Sequence, residues 1–134
     1  MKRKYYVNTL DMSWDDFEYY VKFLAKNIKE SRRKISNVYG IPRGGLVVAV
    51  RLSHLLGVPL IDNSNFANSK TLFVDDCVDS GETLKYANLH WKTAVLLYCP
   101  NSSFRPTFFS GLKSKTTWVV FPWEKGGKEE HASI

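Results

Sequence analysis

Asp75, Asp76 and Asp79 stand close together, and Ser80-Gly81-Glu82-Thr83 follows at once. Glycine lets a backbone turn tightly and approach a ligand closely. The Ser80 and Thr83 hydroxyls, with the free N–H groups that open a following helix, suit a phosphate monoester. The carboxylates would repel that phosphate, so they serve another group. Asp75 and Asp76 could accept hydrogen bonds from the vicinal hydroxyls of a sugar, or hold water on Mg²⁺. Asp79 could take a proton or stabilise developing positive charge. Phosphate, diol and cation side by side describe a ribose 5-phosphate. No Gly-Lys-Ser/Thr is present, which excludes a Walker-type nucleotide loop.

Strands and helices must place these groups. Leu72 to Val74 reads as a short buried strand leading into the acids, and residues 83–90 read as the helix that follows. A second anion-binding geometry precedes it: strand Ile35 to Ile41, then Pro42-Arg43-Gly44-Gly45, then an apolar helix from Leu46 to Leu56 stopped by Gly57. The two glycines free the backbone, and Arg43 offers a forked donor to phosphate oxygens. Upstream, Lys4 to Val7 reads as a strand. Ser13-Trp14-Asp15-Asp16 reads as a capping box opening a helix, with Phe17, Tyr20, Val21, Leu24 and Ile28 at helical spacing and Arg32 to Lys34 closing it. Downstream, Val58 to Ile61 is a short strand, Asp62 to Lys70 a polar loop, Thr93 to Tyr98 a strand and Trp118 to Phe121 the last strand. Strands alternating with helices predict an α/β fold with a mostly parallel sheet.

The 134 residues fit one domain, 1–134, with 125–134 a flexible Gly- and charge-rich tail. No run is long enough to span a bilayer and no signal peptide is evident. Two cysteines, Cys77 and Cys99, lack metal or redox spacing and fit a reducing cytoplasm. The net charge of +6 could serve nucleic acid or steer a highly anionic small substrate. The carboxylate trio would repel a phosphate chain, which argues against nucleic acid as the main partner. None of His54, His90 and His131 has partners at metal spacing.

Asp75-Asp76, two spacers and Asp79-Ser80-Gly81-x-Thr83 after an apolar strand resemble the phosphoribosyl-pyrophosphate (PRPP) motif of type I phosphoribosyltransferases. Tyr6-Val7 through Asp11-Met12, Arg43-Gly44-Gly45-Leu46, Arg105-Pro106 and Trp118-Val119-x-x-Pro122-Trp123-Glu124 fall in the order seen in bacterial xanthine-guanine phosphoribosyltransferases. The resemblance implies a Rossmann-like type I fold and transfer of ribose 5-phosphate from PRPP to a purine-like base, with Mg²⁺ as cofactor and pyrophosphate released. It implies that Arg43 and Gly44 hold the pyrophosphate and that Ser80, Gly81, Glu82 and Thr83 anchor the 5-phosphate. Asp75 and Asp76 would hold the ribose hydroxyls, directly or through Mg²⁺-bound water, and Asp79 would be the catalytic residue. Trp118 would stack on the base, Val119 would offer a backbone contact, and Trp123 would pack structurally. Glu124 stands where the family has an Asp near the base or metal. A homo-oligomer, dimer or tetramer, is implied as well.

Two departures accompany the likeness. Cys99 stands where the family has the Lys that recognises the 6-oxo group, and a thiol is a poor donor. Lys113 or Lys115 could substitute. The family's mobile hood is reduced here to Asp62 to Lys70, short for a lid that excludes water. Both departures would suit an alternative: a PRPP- or nucleotide-binding regulator without transfer activity on the same fold.

Overall fold

The computed structural model describes residues 6–78 and 91–124. Its elements run β1 (Asn8–Asp11), α1 (Trp14–Glu30), β2 (Asn37–Gly40), α2 (Gly44–Leu56), β3 (Leu60–Ile61), β4 (Thr71–Val78), β5 (Lys92–Tyr98), β6 (Phe108–Leu112) and β7 (Thr117–Val120). A single 3₁₀ turn, Ser64–Phe66, interrupts the polar loop before β4. Five strands form one sheet in the order β3-β2-β4-β5-β6, and β1 pairs with β7 in a separate two-stranded sheet. Every pairing among the described residues is parallel. The expected α/β architecture with a mostly parallel sheet is therefore the one found.

α1 starts where its cap requires. Asp16 N–H donates to Ser13 Oγ at 3.0 Å and Ser13 N–H to Asp16 Oδ2 at 3.0 Å, which completes the capping box. Phe17, Val21, Leu24, Ala25 and Ile28 are buried along one stripe. The helix ends at Glu30, short of the expected Arg32 to Lys34, because Arg32 takes a left-handed φ of 60° and turns the chain away. α2 buries Val48, Ala49 and Leu52 and stops at Gly57, whose φ of 69° is the left-handed cap a glycine supplies. Both helices pack on the sheet and on each other. Arg51 clamps Glu18 across them with two hydrogen bonds, 2.9 and 2.6 Å. Leu72, Val74, Ala94 and Leu96 complete the core beneath them.

Three strands differ from the sequence expectation. The first described strand is Asn8–Asp11, whose pairing with β7 runs from Asn8↔Thr117 to Asp11↔Val120; of the expected strand Lys4 to Val7, Tyr6 and Val7 precede it and the rest lies outside the described residues. β4 does not stop at Val74. It continues to Val78 because β5 pairs with it as far as Val78↔Tyr98, so Asp75 and Asp76 lie inside the strand. β6, with two adjacent phenylalanines and a glycine, shows no alternation and was not expected; it forms because β5 offers it an edge, Ala94↔Phe108 to Tyr98↔Leu112.

The small sheet is anchored by aromatic packing. Phe121 stacks on Trp123 (centroids 4.9 Å, 11°), and Trp123 meets Phe17 of α1 edge-on at 5.6 Å. Trp123 thus packs structurally, and it ties β7 to the main core.

Candidate active site

The strand order carries the first geometric argument. The chain leaves β2, places β3 outside it, then crosses back to lay β4 on the other side of β2. The order reverses between β2 and β4, and ligands in open α/β sheets bind at the carboxyl ends of strands at such a switch point. Of the residues singled out from sequence, the Gly44-Gly45 turn and the Asp75-Asp76 pair meet here.

Pro42-Arg43-Gly44-Gly45 leaves the end of β2 and becomes the first turn of α2. Ile41 N–H donates to Val74 O at 2.8 Å, which holds the loop against β4. The Pro42–Arg43 peptide is cis. Gly45 N–H donates to Ile41 O at 2.9 Å. Arg43 is exposed at the helix N-cap, and the first turn of α2 holds no acidic side chain, so its free N–H groups face no competing carboxylate from within the helix.

The glycines are there for closeness. A Cβ on Gly44 would overlap the Asp76 carboxylate, lying 2.6 Å from its Cγ. A Cβ on Gly45 would overlap the Val74 carbonyl and lie 3.1 Å from Asp75 Cα. The Gly44-Gly45 turn and the acid pair are therefore in van der Waals contact.

Asp75 is buried, with 9 % of its surface exposed. Its Oδ1 accepts the Asp76 N–H at 2.8 Å. Burial raises the Asp75 carboxyl above the ordinary range, while the hydrogen bonds from Asp76 pull it back. Asp76 is pushed further up, first by burial and then by the negative charges of Asp75 and Glu124, against one favourable bond from the Cys77 N–H. Three acids thus converge, and Glu124 enters from the far end of the chain. Its carboxylate is held by Phe121 N–H at 2.7 Å, in the turn just after β7. The sequence hint for Glu124 was its place after the Trp-Val-x-x-Pro-Trp segment; its proximity to Asp76 is a tertiary fact.

A pair of crowded carboxylates that resist ionisation is an oxygen donor set suited to a hard cation. Among the described residues no group of three or more His, Cys, Asp or Glu side chains is arranged to hold a metal ion. Mg²⁺ keeps several waters and substrate oxygens, so two carboxylates fit a water-completed site better than a protein cage.

On the neighbouring strands, Cys99 is 1 % exposed, and its N–H donates to Val78 O at 3.0 Å, which places it just beyond the end of β5 beside β4. Trp118 on β7 is half-buried, and Tyr6 meets it at 4.9 Å between centroids and 67° between planes. Val119 is buried in the core, so its backbone is what it can present. Asp79, Ser80, Gly81, Glu82 and Thr83 lie outside the described residues. The structure brings Gly44 against Asp76 and Gly45 against Asp75, with Arg43 beside them in the same turn. Tyr6 lies between Trp118, at 4.9 Å, and the Lys113 ammonium, 5.7 Å from its ring centroid. Tyr6 was legible only as part of the Tyr6-Val7 segment of the resemblance, and Lys113 only as one of two lysines that could substitute at Cys99.

A scan against protein-family profiles finds no match. A xanthine-guanine phosphoribosyltransferase of Desulfotalea psychrophila is 27% identical over 143 aligned residues, covering 89% of this chain and 88% of that protein. The crystal structure of a purine phosphoribosyltransferase from Pyrococcus horikoshii superposes with a TM-score of 0.71 and is 30% identical, covering 87% of this chain and 94% of that one. A Helicobacter pylori xanthine-guanine-hypoxanthine phosphoribosyltransferase shares the fold at a TM-score of 0.74 with 18% identity, covering 92% and 99% of the two chains. Loop, acid pair, switch point and these likenesses agree, and the chain belongs to the type I phosphoribosyltransferase family.

Proposed function

We propose that this protein transfers ribose 5-phosphate from PRPP to a purine-like base. The observation that carries the reading is the contact between the Arg43-Gly44-Gly45 turn and the Asp75-Asp76 pair. That contact supports the reading because it puts a turn suited to polyphosphate beside a carboxylate pair suited to a diol, which is the layout PRPP requires.

In the reaction the bond from ribose C1 to the pyrophosphate oxygen breaks, and a bond from C1 to a base nitrogen forms. Arg43 and the Gly44 backbone hold the departing pyrophosphate, whose charge is greatest in the product. Asp75 and Asp76 accept from the ribose hydroxyls and orient the ring. Asp79 takes the proton released by the attacking base nitrogen, and Ser80 to Thr83 anchor the 5-phosphate. Bound Mg²⁺, held by Asp75 and Asp76 through water, would neutralise charge on the pyrophosphate. Trp118 offers a flat face to the base. By the same likeness the protein works as a dimer or tetramer, which light scattering on the purified protein checks.

Cys99 supports one second reading, a regulator that binds PRPP or a nucleotide without turnover, because a buried thiol replaces the family's base-recognising lysine. One experiment separates the two. The protein is incubated with PRPP, Mg²⁺ and adenine, guanine, hypoxanthine, xanthine or a pyrimidine, and nucleotide and pyrophosphate are detected by mass. Nucleotide from a purine supports the transferase. PRPP binding by calorimetry with no product from any base overturns it in favour of the regulator.

A further inference from the structure

Residues 22–34 carry six cations, Lys22, Lys26, Lys29, Arg32, Arg33 and Lys34, against one acid, Glu30. On many helices such a run does no more than splay into water. Here the fold gathers three of the cations. Lys22, Lys26 and Lys29 line one groove of about 370 Å³ with Ala25, Glu30 and, from α2, Leu55. Their spacings of four and three residues put the lysines on one side of α1, about 6 and 4.5 Å apart along its axis. Glu18 braces Lys22 at 3.4 Å. Beside the lysine row stand two aromatics, Tyr19 and Phe23, 69 % and 43 % exposed and again four residues apart. An edge contact with Tyr20, centroids 5.8 Å apart at 72°, holds the Tyr19 ring. Arg32, Arg33 and Lys34 are exposed just beyond the helix, and the Arg33 guanidinium lies 5.8 Å from the centroid of Phe108 at the start of β6.

α1 ends at Glu30, before β2 begins, and α2 begins at Gly44, after β2 ends. Both helices thus run against the strands. The end of the groove formed by Lys29 and Leu55 lies at the amino edge of the sheet, whereas the Arg43 turn and the acid pair lie at the carboxyl edge. The 13 residues of α2 separate the two edges by about 20 Å. That exceeds two Debye lengths of about 8 Å at physiological salt. Repulsion between a phosphate chain and the carboxylates therefore acts at the carboxyl edge and does not reach the groove. We propose that this face of α1 binds single-stranded nucleic acid, separately from the transferase site. Lys22, Lys26 and Lys29 pair with phosphates, Arg32 to Lys34 extend the track, and Tyr19 and Phe23 stack on bases. A duplex keeps its bases stacked inward and leaves the aromatics unused, and an acidic peptide brings charge without flat rings. Glu30 is the one opposing charge in the groove. The inference does not rest on the transferase reading.

The test is fluorescence anisotropy of the full chain with labelled oligo(U) and oligo(dT) of about 12 nucleotides, with the matching duplex, and with oligo-glutamate of equal charge, between about 50 and 200 mM salt. RNA and DNA share the recognising chemistry, and the two oligomers tell them apart. The slope of log K against log salt should be about −2 if three lysines engage and about −4 if all six cations do. Lys26→Gln with Lys29→Gln should lessen that slope by about 1.4 and weaken binding by about tenfold at the lower salt. If the double variant melts early, each single variant serves, with half the change in slope. Tyr19→Ala should weaken binding by about fivefold or more with the slope unchanged. Glu30→Gln should tighten it, and PRPP with Mg²⁺ should not compete. Absence of binding at the lower salt, displacement by PRPP, or binding that the lysine variants leave unchanged overturns the proposal. Duplex held as tightly as single strands overturns it too. So does oligo-glutamate held as tightly as the oligonucleotides, with Tyr19→Ala without effect, which marks a surface for acidic proteins instead. Each of these results leaves the transferase reading standing, and a chain inactive with every base leaves this proposal to be decided by the same titrations.

Discussion

Gly44 and Gly45 are adjacent, neither has a positive φ, and each should respond to alanine in its own way. At Gly45 the new Cβ meets backbone, the Val74 carbonyl and Asp75 Cα. No side chain can rotate to make room, so the loop must lift off β4. Overpacking of this kind costs about 1–3 kcal/mol. Weakening the 2.8 Å bond from Ile41 N–H to Val74 O costs about 1 kcal/mol more. Alanine recovers about 0.5–1 kcal/mol of helix propensity. The net loss is about 2 kcal/mol, which for a domain of this size lowers Tm by roughly 6–10 °C. At Gly44 the new Cβ meets the end of the Asp76 side chain instead. That carboxylate can rotate away, so Gly44→Ala should melt within about 0.5 kcal/mol of wild type. Its consequence is functional: the carboxylate is displaced and the Gly44 backbone can no longer approach pyrophosphate. PRPP affinity should fall by about tenfold or more, the scale of one lost charge-assisted bond. Thermal melts and calorimetric titration with PRPP read both effects. The reasoning is refuted if Gly45→Ala melts like wild type, or if Gly44→Ala loses stability but binds PRPP normally.

Other outcomes follow from the electrostatics and the aromatic face. Asp76→Asn should raise Tm at neutral pH in metal-free buffer, by on the order of 1 kcal/mol, a usual size for a stabilising substitution, while weakening PRPP binding. Its carboxyl is raised in the folded state, so its contribution to stability is present below about pH 4 and is lost as pH rises; the advantage of Asn should therefore disappear in melts at low pH. Glu18→Gln should cost about 0.5–1 kcal/mol at pH 7, a value discounted because the Glu18–Arg51 pair is about one-third exposed. Hydrogen bonding to Arg51 holds Glu18 at about 2, so the gap between variant and wild type should be full above the ordinary glutamate range and close as pH falls toward 2; a constant gap in urea titrations across that range would contradict it. Trp118→Leu should raise KM for the base by about tenfold, the scale of one aromatic stacking contact, and leave KM for PRPP unchanged.

Much of the layout is local physics and could be read from the residues. Ser13 and Asp16 cap α1 through each other's backbone N–H, Gly57 ends α2 by its left-handed φ, and the short apolar run Leu72 to Val74 has the length and composition of a buried strand. The phosphate-type loop and the acid pair were legible as residue types at short spacing. The limits of β4 were not, because a strand ends where its partner ends, and β5 carries β4 past both acids to Val78. β6 exists only as an edge added to β5.

The amino-acid order by itself determined which groups the molecule owns: a forked cation with two glycines, three closely spaced carboxylates, a hydroxyl turn and an aromatic late in the chain. Tertiary structure alone decided which of them are neighbours. The crossing from β3 back to β4 sets Gly44 on Asp76 across more than thirty residues of chain. The turn after β7 brings Glu124 to the same acid, and the end of β6 lays Lys113 beside Cys99 and Tyr6. The reason is range: capping and periodicity act within a turn or two of chain, whereas desolvation and charge repulsion depend on distance in space, which only the folded sheet sets.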